Sequence, residues 1–74
     1  MIKQGQHVFL TATPGASQRT KNRIRERGEQ GFKVKKEAQP CRFDNNRGVN
    51  WVQLDAVGND WSGWLPVDEI EVVA

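Results

Sequence analysis

The 74-residue sequence predicts a small all-β domain, a five-stranded antiparallel barrel. Three observations predict it. Short runs rich in β-branched and aromatic residues recur along the chain. Clusters of Pro, Gly, Asn and Asp separate them. The one stretch with fair helix propensity, residues 18–28, holds a single large apolar residue, Ile24, and so offers an amphipathic helix almost nothing to bury. A chain of this length forms one domain, residues 1–74, close to the lower limit for folding alone. Closing the sheet into a barrel protects the edges of strands this short.

Taken in order, HVFLTA at residues 7–12 is the first strand, and TPGAS breaks it because Pro14 lacks an N–H and Gly15 admits positive φ. GFKVKKE at residues 31–37 alternates, with Phe32 and Val34 to one face and Lys33 and Lys35 to the other. Residues 38–48 read as a loop. Residues 49–56 and 61–67 form a hairpin about the turn VGND, then Asp68 to Ile70 makes one short helical turn and EVV closes the domain. Asp68 is expected to cap that turn through its carboxylate.

The segment between the first two strands, QRTKNRIRERG, is read as a long basic first loop, an extended arm. In extended chain every odd position from 19 to 27 is basic, about 6.5–7 Å apart. The opposite reading is a helix ended by Gly28.

Hydrophobic residues make up 36% and charged residues 27%, ordinary for a soluble globular protein. Net charge is only +2, but basic residues crowd the middle of the chain, while acids and no bases follow Trp51. Such asymmetry is a cue for an anionic partner, and equally what a barrel shows when its two halves neutralise each other. One cysteine, Cys41, allows no internal disulfide, and no spacing suits a metal. His7 lacks a nucleophile partner, and no glycine loop cradles a phosphate. The expectation is a protein without catalytic residues, cofactor or metal, not membrane-bound, and cytoplasmic.

With a two-residue turn at Gly58 and Asn59, the hairpin pairs Leu54 with Gly63, Val52 with Leu65 and Trp51 with Pro66. Val52, Leu54, Trp61, Gly63 and Leu65 then share the core face. Trp51, Gln53, Ser62, Trp64 and Pro66 share the other. An exposed Trp-Trp-Pro cluster marks a binding surface unless residues 13–29 fold over it.

The segment GWLPVDEIEV resembles the end of a Src-homology-three (SH3) domain, where Gly, a hydrophobic pair and Pro lead into one helical turn and a last strand. The bacterial branch of that family (SH3b) is similar over roughly residues 7–73, through FLTATPGAS, GEQGFKVKKE, NWVQL and SGWLPVDEIEV. The resemblance implies an SH3-like barrel with one short 3-10 turn. Trp51-Val52 falls where that fold keeps paired tryptophans. Trp51 and Pro66 fall on its ligand groove, whereas its groove tyrosines have no counterpart, and Glu69 occupies the place of the second. Bacterial members bind cell-wall peptides or target exported proteins.

The function expected first is a non-catalytic binding module that takes a protein or peptide on Trp51, Trp64, Pro66 and Gln53, flanked by the basic arm. The alternative is nucleic-acid binding. There Arg19, Lys21, Arg23, Arg25 and Arg27 track phosphates, Lys33 and Lys35 adjoin them, and an outward tryptophan stacks on an unpaired base. A third reading is an accessory subunit of a larger assembly, of a size that suits a phage or mobile-element protein.

Overall fold

A computed structural model describes residues 2–55 and 63–73. The strands are β1 (His7–Ala12), β2 (Phe32–Gln39), β3 (Trp51–Leu54), β4 (Trp64–Pro66) and β5 (Ile70–Val73). They form one antiparallel sheet in the order β4-β3-β2-β1-β5. One 3-10 turn, Arg42–Asp44, lies in the β2–β3 connection and a second, Val67–Glu69, joins β4 to β5.

Alternation puts one face of each strand inward. Val8 and Leu10 of β1, Phe32 and Val34 of β2, Val52 and Leu54 of β3, Leu65 of β4 and Ile70 of β5 make one buried cluster. Lys33 and Lys35 face out, as the period-2 pattern requires. The hairpin register agrees with the sequence reading: Trp51 pairs Pro66, Val52 pairs Leu65 and Gln53 pairs Trp64. The Leu54 N–H donates to the Gly63 carbonyl at 2.8 Å, continuing that register. The turn at 58–59, Trp61 and Ser62 lie outside the described residues.

Among the described residues the sheet is not closed, because β4 and β5 stand at its two ends. It nevertheless curls strongly. A flat five-stranded sheet would hold its outer strands about 19 Å apart. Only the turn Val67–Glu69 links them, and so short a stretch of chain reaches about 14 Å at most. Register shifts in β2 between Val34 and Lys36 and between Lys36 and Gln39 supply the bend.

The extended basic arm is corrected. Residues Gln18–Arg27 form a helix, α1, capped by the Ser17 hydroxyl, which accepts the Thr20 N–H at 3.4 Å. Ile24 is not its whole buried face. Thr20 is buried, Ile24 one turn later packs on the core, and Ala16, just before the cap, is also buried. Arg27 adds cover, its guanidinium carbon lying over the Phe32 ring, 5.9 Å from the centroid. A small polar side chain and an arginine complete a buried face that counting large apolar residues misses.

Candidate functional site

Of the residues expected on the second face of the hairpin, Trp51 and Pro66 are buried, whereas Gln53 and Trp64 are half-buried. The open Trp-Trp-Pro surface is therefore corrected for Trp51 and Pro66. For Trp51 the 42–49 loop supplies cover. Trp51 is 7% exposed. Its indole N–H donates to Asp44 Oδ1 at 3.0 Å, and the Phe43 ring lies against it, with centroids 6.3 Å apart at 49°.

Asp44 holds that loop together. Its other carboxylate oxygen accepts the Val49 N–H at 3.0 Å, and Arg47 Nε approaches Oδ1 at 3.5 Å. Burial pushes the Asp44 carboxyl up, but hydrogen bonds from Trp51, Val49 and Gly48 and the charge of Arg47 outweigh it and hold it below the usual carboxylate range. Asn45 and Asn46 take left-handed conformations, φ 56° and 63°, which asparagine tolerates better than most residues.

Arg47 extends the network to the second 3-10 turn, 3.6 Å from Asp68 and 3.8 Å from Glu69. Asp68 thus lies inside its turn facing Arg47, where a capping role was expected. Glu69 reaches instead to the start of α1. Its Oε1 accepts the Ser17 N–H at 2.9 Å and the Thr20 hydroxyl at 3.0 Å. The first turn of α1 contains no acid of its own, so Glu69 supplies the negative charge that the helix dipole favours there. Burial pushes the Glu69 carboxyl up, and the Ser17, Thr20 and Arg47 interactions overcome it and lower it.

The helix redistributes the basic residues. Arg19, Arg23 and Arg27 form one four-residue row and Lys21 with Arg25 another, each step rising about 6 Å along the axis. Arg23 pairs with Glu26 at 2.8 Å and Arg25 donates to Asn22 at 2.8 Å. Arg19, Lys21, Arg25, Lys33, Lys35 and Lys36 are exposed and enter no ion pair among the described residues. Among the described residues, none of these six cations therefore has an acidic partner within ion-pair distance. Asp68 and Glu69 are engaged by Arg47 and by the start of α1.

Sequence reasoning missed Phe43, Asp44, Arg47 and Glu69. The run DNNRG signals a turn, but nothing local announces that its aspartate receives an indole N–H. Among the described residues no three His, Cys, Asp or Glu side chains stand close enough to hold a metal ion, and no helix is long and apolar enough to cross a membrane. Compared with protein-family models, curated proteins and solved structures, the chain matches none of them.

Proposed function

We propose that this chain is a non-catalytic binding module for an anionic macromolecule, with nucleic acid as the ligand, on an SH3-like barrel. The observation that carries this is the set of six exposed cations on α1 and β2, Arg19, Lys21, Arg25, Lys33, Lys35 and Lys36, outside any described ion pair. Cations on a helix and strand exchange counterions for phosphates without first breaking an ion pair, although Arg25 would give up its hydrogen bond to Asn22. The barrel reading draws support from the curl of the sheet and from the order after Gly63: a short strand ending at Pro66, one 3-10 turn and a last strand.

A peptide ligand is the second reading, favoured by the half-buried Trp64 and Gln53 side by side on the hairpin's second face. With Trp51 and Pro66 buried, that surface is smaller than the sequence suggests.

Replacing Arg19, Lys21 and Arg25 together by Gln tests the proposal. Anisotropy of a labelled oligonucleotide should report binding weakened at low salt, with the salt slope reduced by about two to three. Unchanged affinity would exclude α1 as the contact.

A further inference from the structure

We propose that Arg42 and Phe43 form a stacking platform for an unpaired nucleobase, and that the adjoining groove holds its sugar and phosphate. This rests on the nucleic-acid reading and narrows it to single strands. Phe43 is 38% exposed although its loop is firmly held. The neighbouring Asp44 is buried and bonded to Trp51 and Val49, so the ring is presented outward by a fixed support. Trp51 backs the ring, and the Arg42 guanidinium carbon lies over it, 5.2 Å from the centroid. Indole, phenyl ring and guanidinium thus run from buried to exposed. A base laid on this stack gains a π face and a cation, and its phosphate gains the guanidinium donors.

The groove beside the platform has a volume of about 500 Å³ and is lined by Cys41, Arg42, Asp44, Asn45, Asn46 and Gly48. The two asparagine amides offer donors and acceptors for a sugar or base edge. The Asp44 carboxylate is taken up by Trp51, Val49 and Arg47, which limits its repulsion of a phosphate. The loop also stands close to α1. Arg47 contacts Glu69, whose other oxygen accepts the Ser17 N–H, so both segments bracket one carboxylate. A strand leaving the platform in that direction meets the first turn of α1, which carries Arg19 and precedes Lys21.

Cys41, the only cysteine, lines the groove and reports its occupancy. Saturating oligothymidylate should slow alkylation of Cys41 by iodoacetamide about fivefold or more, and a duplex of equal length should not. Phe43→Leu keeps an apolar contact with Trp51 and should lose about tenfold in single-strand affinity with duplex affinity unchanged. If oligothymidylate binds but Cys41 reacts at its free rate and Phe43→Leu binds as well as the parent, the platform is wrong and the nucleic-acid reading stands. If neither single strand nor duplex binds at low salt, the nucleic-acid reading fails and takes the platform with it.

Discussion

Glu69 accepts a hydrogen bond from the Thr20 hydroxyl at 3.0 Å, across 49 positions of sequence, and this bond fixes the start of the basic helix. Thr20 is 1% exposed, so its hydroxyl has no water to fall back on. The helix that presents Arg19, Lys21 and Arg25 is anchored by the turn that follows the last hairpin.

Thr20→Val removes the donor and keeps the shape, and should cost about 1 kcal/mol. Glu69→Gln weakens the same anchor by a similar amount, about 1 kcal/mol. Because the two act on one bond, the double variant should lose less than the sum. Urea unfolding measures all three, and strict additivity would mean that the pair is not coupled.

Trp51→Phe should destabilise by about 2 kcal/mol, since a buried hydrogen bond to a charged carboxylate is lost and Asp44 is left short of a partner. Guanidinium unfolding gives the value. A near-zero effect would mean that the indole is open to solvent.

Stability should fall in acid through Asp44 and Glu69. Both carboxyls sit below their ordinary values in the folded chain. The stability they contribute is therefore fully present above the unfolded values of about 4 and disappears as pH drops through the lower folded values. Urea midpoints should hold level from pH 7 to about 5 and decline below about 4. The Asp44→Asn, Glu69→Gln double variant should start lower and show a shallower decline. An equally steep decline would place the acid sensitivity elsewhere.

Gly63 and Gly48 both have positive φ, 83° and 77°, but only at Gly63 would a Cβ run into a neighbour, the Leu54 carbonyl oxygen. Gly48→Ala should cost about 1 kcal/mol, from backbone strain alone. Gly63→Ala adds a clash inside the β3–β4 hairpin and should cost upwards of about 2 kcal/mol. Thermal unfolding ranks the two, and a reversed order would contradict the register of the hairpin.

That register was legible because it follows from alternation: Val52, Leu54 and Leu65 cannot all face the core under a one-residue slip. The inward Phe32 and Val34 and the outward Lys33 and Lys35 were legible for the same reason. The helix was not. Its buried residue is the small, polar Thr20, and its N-terminal charge comes from Glu69, so local composition carried neither signal. The cover of Trp51 was hidden likewise, because it depends on a loop whose asparagines turn in the left-handed region before Asp44 can meet the indole. Of the candidate site, the exposed cations were readable as residues but not as two helical rows.

The most direct test of the central claim is the salt dependence of binding of the unmodified chain to a fluorescent single-stranded oligonucleotide. If four to six of the exposed cations meet phosphates, anisotropy titrations from low to moderate salt should give a slope of log K on log salt of about −3 to −4. Absence of binding at low salt, or binding that salt leaves unchanged, would contradict it.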